Sequence, residues 1–288
     1  MSNRISFQDV LMRWGTVFAL VILFIFLATT VEGFAQTENL VNILRQIALL
    51  LIIGQGFTMV HLTGEIDLSF ANVASLASVV TAGLVLAETP WVLAILLALG
   101  IGAGFGLVNG LLVTMIGISS LITTIATGII ATGLIYLYTG GVAFYGEMPE
   151  GFLFLARGTI GPIPMLIVIT LLVLFASYTF VNQTVPGKYM QATGGNDKAA
   201  SLMGVNTRFY KTLGFILCGV GGALTGILLT SRLGSANPEG AAGFLMEGIS
   251  VVLLGLTVFN VGQSSPMGTA VGALIIGVLN NGLTLMGA

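Results

Sequence analysis

A chain of 288 residues that is 56% hydrophobic and only 7% charged, with a mean hydropathy of +1.05, lacks the polar side chains that a water-facing surface requires. A soluble globular domain is therefore excluded, and the bilayer must solvate most of the chain. The formal net charge of −2 leaves no basic footprint for nucleic acid, and the single cysteine, Cys218, lies in an apolar run where it offers neither a disulfide nor a metal cluster and reads as core packing.

A hydrocarbon core of about 30 Å takes roughly 20 apolar residues per helix. The sequence predicts about nine spans, at 14–31, 40–60, 68–87, 91–114, 120–139, 163–183, 212–231, 244–260 and 267–286. The first follows Arg4 and Arg13 and precedes the small-x-small triplet Gly33-Phe34-Ala35, as a signal peptide would, but its length from Trp14 to Val31 exceeds a usual signal core, so it is expected to be a retained anchor helix. Residues 89–146 carry no charge. That stretch is too long for one helix and should hold two, broken near Thr114 to Ser120.

The 40 glycines suit closely packed membrane helices. Gly102, Gly106 and Gly110 recur every fourth residue on one helix face, and Gly222 with Gly226 and Gly268 with Gly272 repeat the pattern. The run from Gly100 to Gly106 lacks the strand, the helix and the spacing of a dinucleotide loop. The one Gly-Lys pair, Gly187-Lys188, is followed by Tyr189 and has Asn182 where a phosphate loop needs its first glycine. No nucleotide cofactor is expected on this chain; if transport is ATP-driven, the ATPase is a separate chain.

Basic residues in short loops mark the inside of the membrane. Arg4 and Arg13 flank span one, and Lys188, Lys198, Arg208 and Lys211 crowd the loop between spans six and seven. An inside N-terminus puts that loop inside as well. Segments assigned outside hold Glu32, Glu38, Glu88, Glu147 and Glu150, with Arg157 and Arg232 as exceptions. Nine spans leave the C-terminus outside at Gly287-Ala288 without a basic tail, so a span is expected to be miscounted or a terminal helix missing.

Four groups of residues could carry function. The segment His61-Leu62-Thr63-Gly64-Glu65-Ile66-Asp67-Leu68-Ser69 sets three ionisable groups between two spans. Such groups at membrane depth are costly and face a cavity, a partner or an interface. Two readings stand: a tight inside turn, with Gly64 as the bend and Asp67 or Ser69 capping the next helix, or a substrate and gating role for His61, Glu65 and Asp67. His61 alone is a poor metal ligand, since zinc needs three or four.

The inside loop from Gln191 to Asn206 reads as a short capped helix: Gly194-Gly195 breaks the preceding structure, Asn196 caps, Asp197 suits the positive end and Gly204 closes the far end. Two turns are marginal in water, so this helix must dock on a partner or fold back on its own bundle. Glu239 and Glu247 flank the start of span eight, and Glu247 reads either as a helix-end charge or as a pathway residue. Asn280 and Asn281 either bond between helices or contact substrate.

These segments resemble the ribose-type, or monosaccharide, branch of the ATP-binding cassette importer permeases, in the branched-chain amino acid and ribose permease superfamily. Leu62 to Ser69 is similar to the family's Leu-Thr-Gly-Gly-Ile-Asp-Leu-Ser, Gly194 to Asn206 to its cytoplasmic Gly-Gly-Asn loop, and Gly268 to Leu283 to its C-terminal Asn-Asn-Gly segment. The resemblance runs from about residue 38 to the end. It implies an all-α polytopic membrane protein with the type II importer fold of the vitamin B12 importer, about nine to ten helices in a single permease domain over residues 1–288.

The implied setting is the bacterial inner membrane, with the N-terminus cytoplasmic and a second copy or a paralogue across the pathway. The 191–206 loop becomes the coupling helix, with Gly195, Asn196, Asp197, Ala199, Ala200 and Gly204 as its ATPase interface. The chain itself would perform no chemistry. ATP and Mg would be used by the cytoplasmic ATPase, and a periplasmic sugar-binding protein would deliver the cargo.

Glu65 departs from the family pattern, standing where relatives usually have glycine. The stretch from Leu256 to Ser264 lacks several of the family's glycines, and the family usually continues with one more helix after Asn-Asn-Gly. Competing expectations are a permease for another small polar solute, such as a furanosyl signal molecule, a polyol or a nucleoside, and an ion-coupled transporter using Asp67 and Glu247 as proton relays. The latter leaves the capped inside helix unexplained.

Overall fold

The structure, a computed structural model, describes residues 7–259 and 262–287, with side chains from Trp14 onward. Arg4, the side chain of Arg13, Asn260, Val261 and Ala288 lie outside the described residues.

In chain order the helices are α1 (Phe7–Thr30), α2 (Thr37–His61), α3 (Phe70–Leu86), α4 (Trp91–Leu111), α5 (Ser120–Thr139), α6 (Glu150–Arg157), α7 (Met165–Gln183), α8 (Val185–Gly195), α9 (Asp197–Leu202), α10 (Thr207–Leu233), α11 (Phe244–Gly255) and α12 (Pro266–Leu285). Two short antiparallel pairs sit between them: β1 (Phe144–Tyr145) with β4 (Ser235–Ala236), and β2 (Thr159–Ile160) with β3 (Ile163–Pro164). A π-helical turn, Leu112–Ile116, extends α4 before Gly117 ends it with a φ of +83°. The break predicted near Thr114 to Ser120 is thus a wide turn followed by three irregular residues.

Among the described residues, six helices are long and apolar enough to cross a membrane: α2, α4 with its π turn, α5, α7, α10 and α12. Three further apolar helices, α1 (with side chains described from Trp14), α3 and α11, stand where the other predicted spans fall. The eighth predicted span stops short because the chain turns at 256–259.

Local chemistry sets several boundaries. Ser265 accepts a 3.0 Å bond from the Gly268 amide and Pro266 opens α12. Thr184 caps α8 in the same way, 3.3 Å from the Gly187 amide. Gly140 and Gly234 end α5 and α10 in the left-handed conformation.

α10 lies at the centre and packs on α2, α3 and α4, while α2 is enclosed, every residue from Ile47 to Val60 being buried. Glycine makes these approaches possible. A Cβ at Gly102 would meet the Gly219 carbonyl of α10, one at Gly106 the Phe215 carbonyl, and one at Gly226 the Ala74 carbonyl of α3. Gly272 faces Val251 between α12 and α11 in the same way. The three glycine repeats are therefore backbone contacts between helices.

One end of the bundle carries the 62–69 turn, α8, α9 and residues 262–264; the other carries α6 and both strand pairs, which sequence periodicity did not foresee. The two exceptions to the charge rule sit at this second end. Arg157 Nε donates to the Arg232 carbonyl at 2.9 Å, and Arg232 Nη1 to the Arg45 carbonyl at 3.4 Å. Both cations serve carbonyls, one of them at the C-terminal end of α10, where positive charge is favoured.

Candidate coupling and transport site

The segment that follows α7 turns back twice. α8 runs through Gly194 and Gly195, so the glycines form its last turn, and the break falls one residue later at Asn196, whose φ of −160° and ψ of 98° are extended. Asn196 Oδ1 accepts a 3.0 Å bond from the Ala199 amide and so caps the six-residue α9. Asp197 occupies the first turn of α9, and Gly204, at a φ of +86°, closes the segment. Hydrogen bonds from Thr207 and Lys211 hold the Asp197 carboxyl below the usual carboxylate range.

Gly195, Asn196, Asp197, Ala199 and Gly204 are exposed, whereas Ala200 is buried. Ala200 therefore packs on its own chain and is not part of the open surface with the other five. The most exposed apolar side chains of the segment are Leu202, 89% accessible, and Met203, 85%. Sequence reasoning passed over them, although an adjacent apolar pair ending a polar helix is the signal that would have found them.

Gly194 abuts the 62–64 turn so closely that a Cβ there would strike the Leu62 carbonyl. Gly64 provides the bend of that turn at a φ of +81°. Beside it Lys211, near the start of α10, bridges two carboxylates, 3.0 Å from Glu65 Oε1 and 2.9 Å from Asp197 Oδ2. Glu65 and Asp197, read separately in the sequence, are joined by a lysine counted there only as a mark of the inside.

Asp67 turns the other way, into the bundle. Its Oδ1 accepts from the Ser69 amide at 2.7 Å and from the Ser69 hydroxyl at 2.6 Å. Ser69 Oγ accepts from Asn109 Nδ2 of α4 at 3.0 Å, and Asn109 Oδ1 accepts from Thr127 of α5 at 2.7 Å. All four are buried. Every donor in this chain points toward Asp67, so the carboxylate is the terminal acceptor of a network linking the turn to α4 and α5. Neither Asp67 nor Ser69 caps α3 through a side-chain bond, and Asp67 lies on no open face.

His61 closes α2 with Nδ1 2.6 Å from Ser264 Oγ, at the edge of a polar cavity of about 410 Å³ that Lys188 and Gln191 also line. Among the described residues no group of three or more His, Cys, Asp or Glu could hold a metal ion.

The remaining candidates divide. Asn281 exchanges two hydrogen bonds with Asn39 of α2, at 2.9 and 3.0 Å, and is buried. It locks α12 to α2. Its neighbour Asn280 is exposed and donates at 3.2 Å to Glu247 Oε1 on α11. Glu239 instead accepts from the Tyr136 hydroxyl at 2.8 Å at the end with the strand pairs. The sequence candidates thus separate: the α9 junction, the buried Asp67 network, His61 at the polar cavity, Asn281 locked to Asn39, and the pair of half-buried Glu247 with exposed Asn280 on the α11–α12 face.

Residues 39–288 match the family described as the permease component of branched-chain amino acid transport systems. The chain is 37% identical over 286 residues to the ribose import permease protein RbsC of Bacillus subtilis, an alignment covering 99% of this chain and 89% of that protein. It is 34% identical to RbsC of Escherichia coli K12, covering 96% of this chain and 87% of the relative, and 32% identical to the D-allose transport system permease protein AlsC of the same strain, covering 95% and 84%. No solved structure matches the chain. A match that extends through the capped segment, the Asp67 turn and the α11–α12 pair places the chain in the branched-chain amino acid and ribose transport permease family.

Proposed function

We propose that this chain is the membrane-spanning permease subunit of an ATP-binding cassette importer that carries a ribose-type monosaccharide inward across the inner membrane. The observation that carries it is α9, a capped helix too short to stand alone, projecting Leu202 and Met203 into solvent at the end rich in lysine. A surface of this kind suits a groove in a separate ATPase, which hydrolyses ATP with Mg as its cofactor. The names of the relatives supply the cargo class.

That end is cytoplasmic on this reading, and so is the N-terminus. In support, Thr16, early in α1, is 2.6 Å from Thr257, just beyond α11, at the end of the bundle where α11 approaches Ser264 and His61. A periplasmic sugar-binding protein meets the opposite end. A second copy or paralogue completes the pathway in a type II arrangement, facing α11 and α12. A half-buried carboxylate and an exposed amide on apolar helices are costly against lipid but suit a wet pathway, where Glu247 and Asn280 can bond sugar hydroxyls. Closure of the ATPases displaces α9 and drives alternating access.

The test is uptake of labelled D-ribose, with D-allose as competitor, into vesicles holding the permease, its ATPase and its binding protein. Uptake is expected to require ATP. Uptake that persists without ATP under a proton gradient overturns the proposal.

A further inference from the structure

Glu65, in the turn between α2 and α3, has its carboxylate 3.0 Å from the ammonium of Lys211, which also holds Asp197 of α9 at 2.9 Å. An ammonium has three donors and can serve both carboxylates at once. An exposed ion pair does little, but the side chains of Glu65 and Lys211 are only 16% and 19% accessible, so water screens this pair poorly.

A second, independent contact joins the same two segments, backbone against backbone, where Gly194 abuts Leu62 and Gly64. Two residues beyond Glu65, Asp67 terminates the hydrogen-bond chain through Ser69 and Asn109 to Thr127. Contacts therefore run without a gap from α9 through Lys211 and Glu65 to the Asp67 turn, and from there to α4 and α5.

We infer that Lys211 is a positioning residue that transmits displacement of α9 to the Asp67 turn, with Glu65 and Asp197 sharing its ammonium. This rests on the seating of α9 against an ATPase. When α9 moves with the ATPase, Asp197 draws on Lys211, Glu65 follows because its charge is held against the same ammonium, and the turn moves with it. Without the shared cation the charged tie between α9 and the turn is lost, and ATP is hydrolysed with less sugar moved. Spatial continuity alone does not demonstrate coupling, so the measurement must be of coupling.

The experiment uses proteoliposomes with permease, ATPase and binding protein, in which ribose uptake and ATP hydrolysis are followed together. Lys211→Met is expected to lower the sugar carried per ATP about fivefold while the ATPase still co-purifies, and Lys211→Arg to keep most of that ratio. Glu65→Gln and Asp197→Asn should each lower the ratio, and together lower it no more than Lys211→Met does. An unchanged ratio in Lys211→Met, or strictly additive effects of the two carboxylate changes, overturns the inference. Should Lys211→Met fail to insert, the Glu65→Gln and Asp197→Asn cycle decides by itself. If the unmodified chain neither co-purifies with the ATPase nor needs ATP, the permease assignment falls, and this inference with it. If it does both and the ratio never moves, only the role of Lys211 falls.

Discussion

Gly102 of α4 and Gly219 of α10 lie so close that a Cβ on either would strike the carbonyl of the other. Two residues along α4, Gly104 has nothing within 4 Å of where its Cβ would stand. The pair separates a packing role from mere glycine content. Without a hydrophobic driving force between helices in lipid, close backbone approach supplies most of the association.

Gly102→Leu is therefore expected to cost about 3 kcal/mol or more through overpacking against backbone, and to abolish accumulation of folded protein. Gly104→Leu should stay within about 0.5 kcal/mol, as surface changes do. Thermal unfolding in detergent distinguishes the two, and equal loss in both removes the packing account.

The Asp67 network predicts a contrast between an isostere and an apolar replacement. Asp67→Asn keeps an acceptor for the Ser69 amide and hydroxyl, whereas Asp67→Leu leaves them without one inside the bundle. Each unsatisfied buried group costs about 1–3 kcal/mol, so Asp67→Leu should lower the unfolding temperature markedly and Asp67→Asn only slightly. A proton relay at Asp67 gives the opposite pattern in transport: Asp67→Asn as inactive as Asp67→Leu, with stability intact.

Much of this architecture is legible in the sequence because lipid imposes a single strong rule, a long apolar run for each crossing. The long apolar helices stand where hydropathy puts them, whereas α6 and α8 do not follow from it, and glycines at every fourth residue mark the α4–α10 contact. What is not legible is pairing across long separations. Nothing near Lys211 in the chain tells that it meets Glu65, and nothing near Asn281 tells that it meets Asn39. The break at Asn196 rather than at the glycines before it follows because a helix can carry glycine through its last turn, whereas Asn196 must leave helical geometry for its side chain to cap α9.

Leu202 and Met203 project from α9 without cover among the described residues. Leu202→Asp with Met203→Asp is expected to prevent co-purification of the ATPase while leaving thermal unfolding of the permease unchanged, since neither side chain is packed. Ala199→Glu should weaken association as well, because Ala199 is exposed on the same short helix. Retained co-purification in all of these variants removes α9 from the interface.

Asp197 sets a pH limit on the same junction. Its carboxyl is held below its ordinary value of 3.8 by hydrogen bonds from Thr207 and Lys211. A depressed carboxylate contributes its stability above the unfolded value and loses it as pH falls through the folded one. The attachment of α9 to α10 should therefore be constant from neutrality down to about pH 5 and weaken progressively as the pH falls further, through the folded value. Hydrogen exchange of the α9 amides follows this, and Asp197→Asn should raise their exchange at neutral pH. Exchange already rising between neutrality and pH 5 assigns the junction to some other group.

The sugar contact proposed for Glu247 and Asn280 makes uptake sensitive to both side chains. The carboxylate and the amide are bonded to each other across α11 and α12 at 3.2 Å, a long bond that leaves both groups capacity for more. Against lipid such a pair would be a burden without return. Facing a sugar, the carboxylate would offer acceptors and the amide both a donor and an acceptor. A hydrogen bond to a charged group contributes about 1.5–3 kcal/mol, so Glu247→Leu is expected to lower ribose uptake about tenfold or more, mostly by raising KM. Glu247→Gln, which keeps an acceptor, should lose less. Asn280→Ala removes the partner but not the charge and should fall between them. The alternative is that the pair only fastens α11 to α12, in which case Glu247→Leu and Asn280→Ala lower the unfolding temperature together and leave the KM for ribose where it was.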